Sequence, residues 1–413
     1  MNQLNKMLFI IAIITIIYGC NSTNSSDADQ IGVVEINVAE AVSNERDFRL
    51  SDLIDEIELI EFESTPESYF INPRSYQITQ SYILIACDYQ NIVLLFKRNG
   101  DFIRKIGRQG KGPGEYVSPW FVSIDPDQEN IIIVDISQKR LIKYSVDGQF
   151  QGQKEYQDAN KQIIQTNPVF LDNQHFAVAV ARPKKPVDNF HSIYIYDIDL
   201  NLSKKLLPRP NNDELCLYGL SHKSLSNDNG GPYFWETVTD TLYSVKSVNE
   251  VEPLYHYNLT RNKETVLAMT DPFSWEEETY MTFIGGVTNA PRYLIAWAIL
   301  ETPCLIVYDK NKRESFSVID PFQCDLEQNG GGDANVIDND LFGFEPIRIH
   351  KYHPKEESYS DWFLFESVEL YNNLDCVSGR AVKNPQLRDL LVDKVKNFKG
   401  DELPILVLMH SKQ

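Results

Sequence analysis

Short apolar runs rich in Ile, Val, Tyr and Phe alternate with Asn, Asp and Gly along most of the chain, and stretches of helical period are rare. Runs of this kind, bounded by turn formers, predict strands joined by hairpins. Two hairpins are plain. In IVLLFKRNGDFIRKIG the pair Asn99-Gly100 separates two apolar runs, and in RLIKYSVDGQFQGQ the pair Asp147-Gly148 does the same. Both dipeptides take the positive φ angles that a tight hairpin needs. Three weaker instances follow in step. IYIYDIDLNLSKKL turns near Asp199 to Asn201, TLYSVKSVNEVEPLYHY near Asn249, and CLIVYDKNKRESFSVI near Asn311.

The turns recur roughly every fifty residues, the length of four short strands with their connections, which is one propeller blade. Each unit opens with an earlier apolar run: YQITQSYILIAC, WFVSIDPDQENIIIVD, PVFLDNQHFAVAVA, GPYFWETVTDTLYSV and APRYLIAWAIL. These runs are expected to be the inner strands. A sixth unit fits from about Asp333 onward. Two face-packed sheets would explain the alternation but not the sustained period. The fold class is therefore read as all-β, a six-bladed β-propeller.

The two extremities look complementary. Ile54 to Phe62 alternates apolar and charged residues, and Leu403 to Leu408 is a second strand-like run. Pairing them would close the ring in the last blade and remove two open sheet edges. Between these runs, Asn384-Pro385 has the form of an N-cap followed by proline at the first helical position. Leu387, Leu390, Leu391, Val395 and Phe398 follow at helical spacing until Gly400 stops them. This predicts one short C-terminal helix covering the final blade.

The first twenty residues read as an export signal. Lys6 gives a positive start, Met7 to Ile17 is apolar but for Thr15, and Ile17-Tyr18-Gly19-Cys20 has the form of a lipobox. The apolar run is shorter than the ~20 residues a spanning helix needs. Lipid on Cys20 would hold the chain at a membrane. An ordinary cleaved signal that happens to contain a cysteine is the alternative. The stretch NSTNSSDADQ (Asn21 to Gln30) has no large apolar residue and reads as a tether. The expected organisation is a signal over 1–20, a tether and entry segment over 21–48, and the propeller over 49–413.

The net charge of -20 repels phosphate backbones and argues against nucleic acid as a partner. Five cysteines follow Cys20: Cys87, Cys216, Cys304, Cys324 and Cys376. None forms a CxxC and no His stands at zinc-ligand spacing, so no metal cluster is expected from them. Cys87 and Cys304 lie in apolar runs and read as buried free thiols.

The segment GDFIRKIGRQGKGPGEY (Gly100 to Tyr116) resembles the signature of the Bacteroidetes six-bladed propeller lipoproteins, relatives of NHL-repeat proteins. The opening LSDLIDEIELIEFES (Leu50 to Ser64), TDTLYSV (Thr239 to Val245) and the closing LPILVLMHSK resemble that family's first, blade-four and terminal strands. The resemblance implies a lipid-anchored envelope location, on the periplasmic side or the outer-membrane surface. Acids appear only at Asp27 and Asp29 rather than directly after Cys20, so surface display is not indicated. The sequence departs from the family in NGGGDANVIDNDLFGFEP (Asn329 to Pro346), a loose counterpart of its compact Asp/Gly-rich stretch. The family has no common activity, so the resemblance supplies no substrate.

Candidate chemistry is sparse. Gly107 and Gly112 have the outer spacing of a phosphate loop, but Pro113-Gly114 stands where Lys-Ser/Thr is required, and proline removes an amide. GRQGKGPGEY is better read as a rigid crossover between blades. Its Arg108, Gln109 and Lys111 remain candidates for an acidic ligand at the rim. The glycines at Gly230-Gly231, Gly285-Gly286 and Gly330 to Gly332 read as turns. His350 and His353 would point to opposite faces of a strand, and no HExxH or GxSxG is present. Asp333, Asn335, Asp338 and Asp340 are oxygen-rich but lack EF-hand spacing. A channel calcium would need acids converging from several blades, and no cofactor is expected. Trp120 and Trp275 lie in loop contexts and are candidates for stacking on a sugar, while Trp235 and Trp362 lie in apolar runs and read as core. The leading expectation is a non-catalytic binding module for a glycan, peptide or protein partner of the envelope. A metal-assisted hydrolase or lyase at the central channel, and a structural scaffold of an outer-membrane complex, are the alternatives.

Overall fold

The computed structural model describes residues 32–156, 163–181, 189–209, 223–228, 231–237, 239–259, 283–300, 303–318, 336–344, 347–348, 352–353, 355, 357–364, 374, 377–400 and 402–412. Six sheets form a ring. The chain begins with β1 (Val34–Asn37) and β2 (Ile54–Ile60), which join blades completed later. Blade 1 is β3 (Ser75–Ile78), β4 (Tyr82–Cys87), β5 (Ile92–Lys97) and β6 (Phe102–Lys105). A small parallel pair, β7 (Arg108–Gln109) and β8 (Glu115–Tyr116), follows. Blade 2 is β9 (Pro119–Ile124), β10 (Asn130–Asp135), β11 (Arg140–Ser145) and β12 (Phe150–Glu155). Blade 3 is β13 (Val169–Phe170), β14 (His175–Ala179), β15 (His191–Asp197) and β16 (Leu202–Pro208). Blade 4 is β17 (Lys223–Asp228), β18 (Gly231–Glu236), β19 (Thr241–Ser247) and β20 (Glu250–Asn258). Blade 5 is β21 (Phe283–Asn289), β22 (Tyr293–Ile299), β23 (Pro303–Asp309) and β24 (Glu314–Val318). The pair β25 (Val336–Ile337) and β26 (Ile347–Arg348) leads to blade 6, in which β27 (Tyr352–His353), β28 (Ser358–Phe363) and β29 (Ile405–Ser411) are joined by β2.

First strands of successive blades meet one another, β3 with β9, β13 with β17 and β17 with β21, which places them around the axis. Second and third strands are covered on both faces by neighbouring blades, so they read as continuous apolar runs rather than alternating ones. Ile83 to Cys87, Val93 to Phe96 and Ile131 to Val134 are all buried. Outermost strands have water on one side and are polar, as in FQGQKE of β12. The Asn99-Gly100 and Asp147-Gly148 turns stand where the sequence places them, with φ of 92° at Gly100 and 80° at Gly148. At Gly100 a Cβ would also lie 2.1 Å from the Glu61 carbonyl oxygen, so glycine is demanded twice over.

The ring closes as the complementary ends predict. β2 pairs antiparallel with β29, from Ile54 opposite Ser411 to Ile60 opposite Leu406. β2 and the last strand, β29, therefore share one blade, with β2 covering β29 as the outermost strand.

Blades 4 and 5 correct the sequence reading. GPYFWE and TLYSVKS are the second and third strands of blade 4, not its inner pair; the inner strand is KSLSND. Likewise FIGGVTN, and not YLIAWAI, is innermost in blade 5. KSLSND is mostly polar and FIGGVTN is interrupted by Gly285-Gly286, so neither gives a continuous apolar run. Gly285 is glycine because a Cβ there would sit 1.7 Å from the Trp297 ring.

The folded unit starts at Val34, inside the entry segment assigned over 21–48. β1 pairs in parallel with β20 as a fifth strand of blade 4, and helix α1 (Val38–Ser43) packs along blade 5. Ile36, Val38 and Ala41 are buried there. Arg46 then donates to both oxygens of Glu314, at 2.7 and 3.0 Å. This pairing holds the Glu314 carboxyl down at about 2. A single turn, α2 (Leu50–Leu53), leads into β2.

Helix α3 (Pro385–Lys396) has the expected start, with the Asn384 side chain accepting from the Leu387 amide at 3.0 Å and proline at its first position. Its inner face is Leu391, Val392 and Val395, in a core shared with blades 5 and 6. Leu390, expected on that face, is instead 48% exposed. No helix among the described residues is long and apolar enough to cross a membrane.

Candidate functional site

Antiparallel order gives every blade two ends. One carries the hairpins between first and second and between third and fourth strands; the other carries the turn between second and third strands and the connection to the next blade. We call these the turn end and the loop end.

A pocket of about 320 Å³ opens at the loop end where blade 6 meets blade 1, lined by Asn72, Pro73, Arg74, Asp88, Tyr89, Trp362 and Leu364. Asn72 to Arg74 lead into β3, Asp88 and Tyr89 form the turn between β4 and β5, and Trp362 and Leu364 stand at the end of β28. Arg74 is central. Its backbone N–H donates to the Ala86 carbonyl at 2.9 Å, continuing the ladder of blade 1. Its guanidinium lies 3.4 Å from an Asp88 oxygen and stacks over the Trp120 ring, 3.7 Å from the centroid. Such a cation–π contact contributes about 1 kcal/mol and holds the fork in one place. The other Asp88 oxygen accepts the Tyr89 N–H at 2.8 Å. Tyr89 itself is 77% exposed at the tip of the turn.

Trp362 forms the inner wall. Its ring stacks on Phe62 at 5.8 Å between centroids, meets Tyr76 edge-on at 5.2 Å and Phe70 edge-on at 6.0 Å. It is thus partly core, as its apolar context predicts, and partly pocket wall. Behind it, the Tyr76 hydroxyl lies 2.8 Å from Ser360 Oγ, which is 2.6 Å from His353 Nε2. Burial pushes the Tyr76 hydroxyl above its ordinary range. The same cause pushes the Cys87 thiol, one residue before Asp88, up to about 12. Cys87 and Cys304 are buried free cysteines, as expected.

The glycine-rich crossover lies at the same end and is tightly tied. Glu115 accepts from Arg108 at 2.9 Å and from the Gly112 N–H at 2.8 Å. The Tyr116 hydroxyl donates to Ile106 and accepts from Val93 N–H, while Tyr144 donates to the Gly114 carbonyl. Asp135 accepts from the N–H groups of Val117, Ser118, Ser137 and Gln138. With its amide oriented to suit both partners, Asn91 donates to the Asp88 and Val117 carbonyls and ties the pocket's turn to this segment. The segment is a rigid crossover whose Gly107 and Gly114 take φ of 68° and 72°. Arg108 commits its charge to Glu115, and neither Arg108, Gln109 nor Lys111 lines the pocket.

Of the candidates among the described residues, Trp120 alone is brought to the site, as the platform under Arg74, and it stands on the inner strand β9 rather than in a loop. Trp235 is fully buried, as expected. Trp275 and Cys20 lie outside the described residues, as do Asp333, Asn335 and the glycines Gly230 and Gly330 to Gly332. Asp338 and Asp340 instead join the latch of blade 6: Asp338 pairs with Arg380, and Asp340 accepts from Ser51 Oγ at 2.6 Å and pairs with Lys383 at 2.9 Å. Among the described residues no group of three or more His, Cys, Asp or Glu side chains could hold a metal ion. Arg74, Asp88 and Tyr89 carry no local signal, being single residues in ordinary turns.

Among solved structures, the chain is similar to a "Putative exported protein" from Bacteroides fragilis, with a TM-score of 0.65, 14% identity, and 92% of this chain and 100% of that one covered. It is also similar to a member of the DUF4221 family from Bacteroides vulgatus, with a TM-score of 0.49, 11% identity, and coverage of 86% and 98%. For virginiamycin B lyase from Staphylococcus aureus the TM-score is 0.40, the identity 10%, and the coverage 65% and 76%. No curated protein matches. The family model described as "Domain of unknown function (DUF4934)" matches residues 33–410, and the chain belongs to that family.

Proposed function

We propose that this protein is an exported envelope lipoprotein, anchored through Cys20, whose propeller is a non-catalytic binding module with its ligand site in the loop-end pocket. The observation that carries the binding reading is the pocket itself. A wall of Trp362 and an exposed Tyr89 flank the guanidinium of Arg74, which is fixed between Trp120 and Asp88. A concave site with apolar walls and a few oriented polar groups is the form that small-ligand recognition takes. It stands on a scaffold of six blades, at the end where connections are long. The exported description of the Bacteroides fragilis neighbour and the lipobox-like start support the location.

Two measurements test this. Intrinsic tryptophan fluorescence of the purified protein is titrated with a panel of envelope oligosaccharides, muropeptides and short peptides. A responding ligand should bind at least tenfold more weakly to Tyr89→Ala; unchanged binding in both Tyr89→Ala and Arg74→Ala would remove the pocket from the account. Labelled palmitate should be incorporated by the native chain and not by Cys20→Ala, and equal labelling of the two would remove the anchor.

A further inference from the structure

We propose that the ligand of this pocket is a neutral saccharide, held by stacking against Tyr89 and Trp362, by hydrogen bonds donated by Asn72 and Arg74, and by hydroxyls donating to Asp88. The inference rests on the loop-end pocket being the binding site and assigns the chemical class of what fills it.

Three properties of the pocket converge on that class. The first is charge. Its one cation and one carboxylate lie 3.4 Å apart and neutralise each other, and the whole chain carries -20. An anionic ligand would have to displace Asp88 against that field, and a cationic one would have to displace Arg74.

The second is the supply of hydrogen-bonding groups. A guanidinium has five N–H donors, and Arg74 spends only the side facing Asp88 among the described residues. The Asn72 amide and the Tyr89 hydroxyl make no hydrogen bond among the described residues. Planar forks such as amide, guanidinium and carboxylate match the adjacent hydroxyls of a sugar ring in pairs, while an aromatic face covers the ring's C–H side.

The third is the backbone. A peptide bound in extended form takes its affinity from main-chain hydrogen bonds to a free sheet edge. Here the Arg74 N–H is bound to Ala86 and the Tyr89 N–H to Asp88. The Ile71 N–H donates to the Gln90 side chain at 2.9 Å, and Pro73 has no N–H at all. The wall nearest the opening therefore offers side chains and rings, not a strand edge. Its volume lies at the low end of the usual ~300–1,000 Å³ for ligand pockets, enough for one or two sugar rings.

The test immobilises neutral oligosaccharides (α- and β-glucan, mannan, xylan and galactan fragments), the acidic polygalacturonate, and a set of extended peptides, and measures retention of the purified full chain. At least one neutral glycan should be retained. Its Kd should rise at least tenfold in Tyr89→Ala and about fivefold in Arg74→Lys, which keeps the charge but loses the fork. Raising salt from about 0.05 to about 0.5 M should change it less than about twofold, because no net charge is being screened. Tyr89 is exposed, so its variant should keep the native melting temperature, and this is checked alongside. Retention by polygalacturonate alone with strong salt sensitivity, or no retention of any neutral glycan, would overturn the assignment. Peptide retention that depends on Tyr89 would overturn it too, while leaving the pocket as the binding site. Glycan retention indifferent to both Tyr89→Ala and Arg74→Lys would instead sink the pocket.

Discussion

The two ends of the blades are built on different terms. At the turn end, links are short and locally determined: residues 79–81, 98–101, 146–149, 198–201 and 310–313 each reverse a strand, with φ of 92° at Gly100, 80° at Gly148, 66° at Leu200 and 55° at Arg313. At the loop end, blade-to-blade connections such as 61–74 and 106–118 are longer, and what they present depends on partners far away in the chain. Arg74 meets Asp88 from its own blade, Trp120 from the next, and shares a pocket with Trp362 from the blade before. One end fixes the ring's geometry; the other uses that geometry to bring together side chains nearly three hundred residues apart. Substitutions should therefore divide into those that cost stability and those that cost binding, and the division can be broken.

The largest expected effect is at the loop end and runs against the simple division. Arg209, which follows β16, pairs at 2.6 Å with Glu236 at the end of β18, and their side chains are only 10% and 0% exposed. Arg209→Ala leaves a buried carboxylate without its cation and should cost about 3–5 kcal/mol, read as a drop in the urea midpoint at unchanged slope. A small loss there would mean that the seam between blades 3 and 4 is wetter than its burial states. Next is Gly100→Val at the turn end. With positive φ and the Glu61 carbonyl oxygen 2.1 Å from a Cβ, it should cost about 3 kcal/mol while the surviving folded protein binds ligand normally. Tyr89→Ala is its mirror, changing stability by no more than about 0.5 kcal/mol and weakening binding at least tenfold.

The smallest effect is in acid. Arg46 holds the Glu314 carboxyl at about 2, below its ordinary 4.5. Because the folded value is the lower one, the pair's contribution is complete above pH 4.5 and is lost as pH falls toward about 2. Arg46→Gln should lower stability at pH 7, flatten that part of the acid-unfolding profile, and converge with the parent protein near pH 2. An equal acid limb in both proteins would show that the entry segment does not clasp blade 5 in solution.

How much was legible follows the same line. Period, hairpin turns, the closing pair β2 and β29 and the capped start of α3 are readable because each depends on neighbours in sequence or on one strong pattern. The inner strands KSLSND and FIGGVTN were not, since the first is mostly polar and the second is broken by paired glycines, and both patterns resemble loops. β1 and α1 were hidden for another reason: Ile36, Val38 and Ala41 gain their meaning only from blades 4 and 5. In the site, Trp120 drew attention as a loop aromatic but stands on the inner strand β9, whereas Arg108, Gln109 and Lys111 drew attention through the glycines beside them, which serve the crossover. Arg74, Asp88 and Tyr89 become a site only when three blades meet.

The most direct test of the account is a crystal structure of the protein with the best-retained neutral oligosaccharide. The account predicts one sugar ring lying against Tyr89 and Trp362, with hydroxyls within hydrogen-bond reach of Arg74 and Asp88. A ligand bound in the channel or on the blade edges, with the blade 6–blade 1 pocket holding only solvent, would contradict it.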